Sequence, residues 1–397
     1  MKILLVADSF PPMNSSSAIQ LQDLVTEFAS QGHHLSVIFP TASVNKKFQI
    51  LNFDSFSLMK VRIPNFRELG LFKRALTELS LSIILMHRFK RSIWSTANFD
   101  GIIFYSPSIF FGPFVFYLKL KLGCKSYLIL RDIFPDWALD LGLIKRNIIY
   151  YIFKGFELFQ YSVANKIGIQ TPGNRKYFES RPRLFKKVEV LCNWLTPVAM
   201  IEDSINLGSK LNVFSERKIF VYAGNIGPAQ NVTEIVDIAT KLNQFEDIGF
   251  LIIGRGSLKN KVKELINTRN LKNLLLLDEV DSSYIPLIYS KCYCGIVSLD
   301  PRHKSHNIPG KFVSYMHYGL PVFAMLNLGN DLEEIVKTNE VGFASSEHDK
   351  DFLAKNLYKL SRLDDHEYNK LSSNCKKLAK EMFSSESVVR QISDALR

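Results

Sequence analysis

Three short segments place glycine beside a polar or charged side chain at the end of an apolar run, the arrangement that lets a backbone approach a phosphate. The first is Phe220-Val221-Tyr222-Ala223-Gly224-Asn225-Ile226-Gly227-Pro228-Ala229-Gln230-Asn231, read as strand, glycine turn and helix. The second, Gly254-Arg255-Gly256-Ser257, follows an apolar run and sets Arg255 where a guanidinium could meet a diphosphate. The third, His306-Asn307-Ile308-Pro309-Gly310-Lys311, opens a helix that ends at Gly319. A cation in a first helical turn opposes the helix dipole, and an anion bound at the same end would remove the conflict. Each has a plainer reading: a tight strand-to-helix crossing, a surface arginine, a lysine pointing to solvent.

Two segments near the N-terminus offer further candidates. In Asp8-Ser9-Phe10-Pro11-Pro12-Met13-Asn14-Ser15-Ser16-Ser17, the hydroxyls of Ser15, Ser16 and Ser17 stand where a helix begins, so they could meet a ligand or cap the helix. In Leu130-Arg131-Asp132-Ile133-Phe134-Pro135-Asp136-Trp137, charge follows directly on a buried strand. Asp132 is there either as an acid or base or as the partner of Arg131.

The elements that must position these residues alternate strand and helix. Strands are expected at 35–39, 101–105, 126–130, 166–170 and 187–191, then at 219–223, 249–253, 274–277, 295–298 and 321–324. A long helix is expected at 148–164. This order implies two doubly wound α/β domains with parallel sheets, whose ligands bind at the carboxyl ends of the strands. The expected division is 1–195, a linker at 196–217, a second domain at 218–380, and a C-terminal helix at 381–397 that could cross back to the first.

The chain of 397 residues is 47% hydrophobic and 22% charged, an ordinary globular composition. Its five cysteines are scattered without zinc or disulfide spacing, and the N-terminal apolar run is too short for a signal peptide. The formal charge of +12 is confined to one half: residues 1–190 hold 25 Lys and Arg against 13 Asp and Glu, and residues 191–397 hold 25 against 25. A basic first domain suits an anionic membrane or polyanion. Residues 71–94, an apolar centre with basic ends, fit either an interfacial helix or a buried one. Nucleic-acid binding ranks low, since no binding module is recognisable.

The segments Phe10-Pro11-Pro12, Arg131 to Asp136, Cys192-Asn193-Trp194, Tyr222 to Gln230, and Ile308 to Lys311 running into Tyr318-Gly319-Leu320-Pro321-Val322 together resemble the retaining glycosyltransferases of family 4. The resemblance is strongest to bacterial O-antigen and capsule members and covers nearly the whole chain. It implies a GT-B fold, two Rossmann-like domains facing across a cleft, and transfer of a sugar with retention from a UDP- or GDP-sugar. The implied acceptor is an undecaprenyl-diphosphate-linked oligosaccharide at the cytoplasmic face of the inner membrane. Neither cofactor nor metal is implied, because helix N-termini and basic side chains meet the leaving diphosphate.

On this resemblance Asp132, Arg255 and Lys311 are the catalytic candidates, and Gly224, Asn225, Gly227, Gln230, Gly254, His306 and Ser314 the donor-binding ones. Two departures stand out. His306 and Ser314 occupy the positions of a glutamate pair that relatives use on the donor sugar and ribose, and serines replace a common glycine pair in the N-terminal loop. An epimerase of the same architecture and a catalytically degenerate partner subunit are the alternatives.

Overall fold

The computed structural model describes residues 1–13, 15–64, 71–198, 212–214, 216–302 and 308–397; the side chains of residues 16, 71–79 and 213 are outside that description. His306 and most of the expected linker therefore lie outside the described residues.

Short aliphatic runs form the strands. β1 (Lys2–Val6), β2 (His34–Thr41), β3 (Phe48–Asn52), β4 (Phe56–Arg62), β5 (Gly101–Tyr105), β6 (Lys125–Ile129), β7 (Lys166–Ile169) and β8 (Val188–Val190) make one sheet in the order β3-β4-β2-β1-β5-β6-β7-β8. β9 (Lys218–Ala223), β10 (Ile248–Ile253), β11 (Leu274–Leu277), β12 (Cys294–Ser298), β13 (Val322–Met325) and β14 (Gly342–Ser345) make another in the order β11-β10-β9-β12-β13-β14. All recorded pairings are parallel except β3 with β4. Every residue of β5, β10 and β12 is buried, as expected where helices cover both faces of a sheet. The strand order reverses beside β1 and beside β9, and a doubly wound sheet opens its ligand crevice at such points.

One compact unit comprises Met1–Cys192 with Ser385–Arg397, and the other Asn193–Ser384. The helix expected from 381 starts at Ser385, because the preceding helix Asp365–Met382 runs on to its cap at Phe383. Helix Ser385–Leu396 packs on helix Ser16–Ser30 and on β6, and Gln391 hydrogen-bonds Glu189 at 2.8 Å. A methyl on Gly101 would come within 2.8 Å of Leu396, so the last helix seats directly on β5.

The described half of helix Leu71–Lys90 follows the buried alternative for 71–94. In its described half Leu81, Leu85 and Phe89 enter the core, and the Ser82 hydroxyl accepts the Phe114 N–H at 3.2 Å while donating to the Phe110 carbonyl. The apolar face there is occupied by protein. No helix among the described residues is long and apolar enough to cross a membrane.

Candidate active site

The first two glycine segments form loops that follow β9 and β10 and extend the strands' pairing. Gly224 N–H donates to Ile253 O at 2.9 Å, Ile226 N–H to Arg255 O at 2.7 Å, and Leu258 N–H to Ile226 O at 3.0 Å. A Cβ on Gly254 (φ +155°) would sit 1.8 Å from the Gly224 carbonyl oxygen, and one on Gly256 (φ +153°) 2.3 Å from that of Ile226. These glycines are therefore required by loop-on-loop contact, a simpler reason than approach to a phosphate. The N–H groups of Gly224 and Ile226 are committed to the neighbouring loop. At Gly227 a methyl would meet Asn225 Nδ2 at 2.6 Å, because the Asn225 amide donates across it to Gln230 Oε1 at 2.9 Å.

The helix after the first loop was expected to offer its positive end to a phosphate. A 3-10 turn at Pro228–Gln230 and Asn231 in the left-handed region lead instead into helix Val232–Lys241, whose first turn contains the buried Glu234. Asn231 Nδ2 reaches Glu234 at 3.1 Å, and His348 Nδ1 lies 2.8 Å from its carboxylate. The other ring nitrogen of His348 lies 2.9 Å from Leu326 O. The hydrogen bond that Glu234 accepts raises the His348 pKa against the opposing effect of burial. A protein carboxylate already complements that helix end.

The third segment starts helix Gly310–His317, which has no side-chain cap and no acidic residue in its first turn. Asn193, buried, donates its amide to the Ile308 carbonyl and so fixes the chain just before this helix. From the first turn Lys311 runs back under the first loop: a methyl on Gly224 would meet its Cε at 3.2 Å and Nζ at 3.3 Å. Lys311 Nζ lies 3.5 Å from the centre of the Tyr222 ring, and the Tyr222 hydroxyl donates to Asn225 O at 2.6 Å. Among the described residues the ammonium has this aromatic face but no recorded ion pair or hydrogen bond. Loss of hydration pushes its pKa down to about 7, although the side chain as a whole keeps some exposed surface.

Lys311, Tyr222, Gly224 and Gly254 thus come together at the ends of β9 and β10, whereas two other candidates point elsewhere. The Arg255 guanidinium is mostly exposed and pairs with Glu279 at 3.1 Å, so only its backbone enters the loop contact. The Ser314 hydroxyl hydrogen-bonds the phenol of the buried Tyr289, whose pKa burial raises. The chain's one Asp-x-Asp triplet, Asp349-Lys350-Asp351, is committed to structure: Asp349 caps a helix through the Phe352 N–H at 2.7 Å, and Asp351 pairs with Lys241 at 2.6 Å.

In the N-terminal unit Ser15 caps helix Ser16–Ser30 by accepting the Ala18 N–H at 3.2 Å. The hydroxyls of Ser9, Ser15 and Ser17 bond one another at 2.8–3.1 Å; the side chain of Ser16 is outside the described residues. Arg131 is buried and donates to Leu191 O at 3.0 Å. Burial raises the pKa of Asp132 and Arg131 opposes that shift. Asp136 is held by Tyr150 at 2.6 Å and Lys154 at 2.5 Å.

Of the residues that shape this geometry, Tyr222, Asn193, Glu234 and His348 are not marked individually by the sequence. Tyr222 and Asn193 lay within the quoted motifs. Glu234 was visible only as an acid in an otherwise apolar first turn, and His348 carried no signal.

Residues 204–382 match the family model described as glycosyl transferases group 1. The matched stretch lies within the C-terminal unit. Over 344 residues the chain is 22% identical to the putative colanic acid biosynthesis glycosyl transferase WcaI of Escherichia coli K12, covering 80% of this chain and 82% of WcaI. Over 250 residues it is 21% identical to the probable glycosyltransferase WbjE of Pseudomonas aeruginosa, and the match spans 62% of each. Among solved structures it resembles WaaG, a glycosyltransferase involved in lipopolysaccharide biosynthesis, with a TM-score of 0.67, 12% identity and 99% coverage of both chains. It also resembles a UDP-forming trehalose-phosphate synthase from Burkholderia xenovorans, with a TM-score of 0.74, 10% identity and full coverage of both. The fold is GT-B.

Proposed function

We propose that the chain transfers a sugar, with retention, from a UDP- or GDP-sugar to an undecaprenyl-diphosphate-linked oligosaccharide during assembly of a surface polysaccharide such as an O-antigen or capsule. It works peripherally at the cytoplasmic face of the inner membrane. The observation that carries this reading is Lys311, a desolvated cation at an uncapped helix start beside the β9 loop. A diphosphate leaving group placed there restores the solvation that burial removed, and stabilising departing negative charge is typically the largest catalytic term. The matched domain and the names of WcaI and WbjE support the reaction class.

In this reading Lys311 and the helix N-terminus, without a metal or cofactor, neutralise the diphosphate. Gly224, Asn225, Gly227, Gln230 and Gly254 shape its loop. Arg255 joins if it leaves Glu279, Ser314 meets the donor only on release from Tyr289, His306 takes the sugar-side role that the family resemblance implies, and Asp132 acts toward the acceptor with Ser15, Ser16 and Ser17. The test is a panel of UDP- and GDP-sugars scored by thermal stabilisation, followed by transfer to a lipid-diphosphate acceptor with the anomeric configuration read by NMR. Stabilisation by one donor, transfer with retention and loss of both in Lys311→Ala are expected. Net isomerisation of the donor without acceptor would identify an epimerase instead. Unchanged polysaccharide assembly in cells carrying Lys311→Ala would favour a degenerate partner subunit.

A further inference from the structure

Helix Ile148–Val163 exposes more apolar surface than a helix that meets only water outside. Its buried face carries Tyr150, Phe153, Glu157, Gln160, Tyr161 and Val163, a mixture of apolar and polar groups. Glu157, fully buried, takes hydrogen bonds from Tyr177 at 2.6 Å and Tyr161 at 3.0 Å and pairs with Lys154 at 2.8 Å. Gln160 donates to Ser108 O at 3.1 Å. The polar groups can face inward because the Glu157 carboxylate and the Gln160 amide N–H have partners in the protein. The outward side is then apolar: Ile148, Ile152 and Phe159 follow one another at spacings of four and seven, a single line along the helix, and Ile148 is 73% exposed.

The line does not stop at the helix edge. Phe159 meets Phe116 edge-on with centroids 6.0 Å apart, and Leu120, one turn further along helix Gly112–Leu122, is 72% exposed. Exposed cations flank this ridge: Lys145 and Arg146 beside its start, Lys121 and Lys125 beside its end. Across residues 101–131 and 141–178 the one acidic residue is Glu157, and it is buried.

We infer that this ridge docks the chain on the surface of a bilayer containing acidic lipids, with Ile148, Ile152, Phe159, Phe116 and Leu120 entering the headgroup boundary and the four cations meeting lipid phosphates. A continuous apolar ridge with a basic margin is the pattern that lies in such an interface. The inference rests on the peripheral-membrane part of the function proposed above and assigns it to a surface other than helix Leu71–Lys90, whose described apolar face is in the core.

The experiment is co-sedimentation of the full chain with vesicles of phosphatidylcholine alone and with roughly one-third phosphatidylglycerol. Wild type should bind the acidic vesicles and release with salt. Ile152→Asp with Phe159→Asp should lower the partition coefficient at least ~10-fold. Lys145→Glu with Arg146→Glu, at exposed positions, should lower it about tenfold or more on acidic vesicles only. Undiminished binding by both pairs would overturn the inference. An equal loss from Ile83→Asp, or light scattering showing that the ridge variants break a dimer instead, would overturn it too. Sedimentation needs no donor, so vesicle binding without transfer would defeat the transferase reading and leave this one standing. Transfer to a soluble acceptor without vesicle binding would do the reverse.

Discussion

The ammonium of Lys311 stands 3.5 Å from the centre of the Tyr222 ring, with the helix start that carries it free of acidic residues. A lysine so placed is held near pKa 7 by lost hydration, against an ordinary value of 10.5. Cation–π attraction offsets only part of that cost. Lys311→Ala should reduce kcat/KM by roughly 100-fold while the protein remains folded, as expected when a group that meets developing charge is removed. Steady-state kinetics beside thermal melts will check this.

The depressed pKa also fixes a sign in pH. Below about pH 7 the folded chain must hold the ammonium charged at an unfavourable site; as pH rises toward 10.5 the folded state has shed that proton while the unfolded state retains it. The destabilising contribution of Lys311 is therefore largest at pH 6 and fades toward pH 10. Lys311→Met should be more stable than wild type at pH 6, with the difference shrinking by pH 9.5 in urea unfolding. Correspondingly, binding of UDP at pH 8 should take up a proton, seen as a calorimetric heat that varies with the buffer's ionisation enthalpy.

Gly254→Ala tests whether the two glycine loops are built on each other. Its Cβ would fall 1.8 Å from a backbone oxygen of Gly224, where no flexible group can yield. The expected loss is at least ~2 kcal/mol. Gly32→Ala is the control: φ there is +77° but nothing stands within 4 Å, so the cost should be about 1 kcal/mol. Equal effects in denaturant unfolding would remove the loop-contact argument.

Most strands were legible because strands buried on both faces appear as short aliphatic runs between turn residues: Gly101–Tyr105 and Leu274–Leu277 coincide with the expected bounds. β3 and β4 both escaped, because Gln49 and Asn52 interrupt any apolar run in one and Ser57 and Lys60 in the other, and their antiparallel pairing departs from the all-parallel expectation. β14 escaped as a four-residue strand opened by a glycine. In the site, Lys311 and the glycine loops were visible as residue types. The reason for the glycines was not, because it depends on β9 lying beside β10, and 30 residues separate Gly224 from Gly254. Ser314 and Arg255 could not be oriented from spacing, since Tyr289 and Glu279 draw them away and lie in other elements.

Asn193 should behave as a positioning residue. Its amide holds the Ile308 carbonyl, three residues before Lys311, and its other amide atom, Oδ1, is buried without a hydrogen bond among the described residues. Asn193→Ala removes the tether between these two buried groups, costing about 1–3 kcal/mol. Because the loss acts through the placement of Lys311, KM for the donor should rise while the pH at which binding weakens stays near that of wild type. A shift of that pH would mean that Asn193 alters the electrostatics of the lysine directly.

The pair of His348 with Glu234 carries a pH dependence of opposite sign to that of Lys311. A histidine whose pKa is raised on folding adds stability that is fully present below the ordinary value of 6.5 and is lost as pH rises through the folded value. The ring joins the first turn of helix Val232–Lys241 to the Leu326 carbonyl at the end of β13, so that stability tightens two of the elements around the site. Glu234→Gln keeps the shape but removes the charge, and should cost more at pH 5.5 than at pH 8.5 in urea unfolding. If the cost were equal at both, the pair would be acting as a neutral hydrogen bond, with the imidazole uncharged throughout that range.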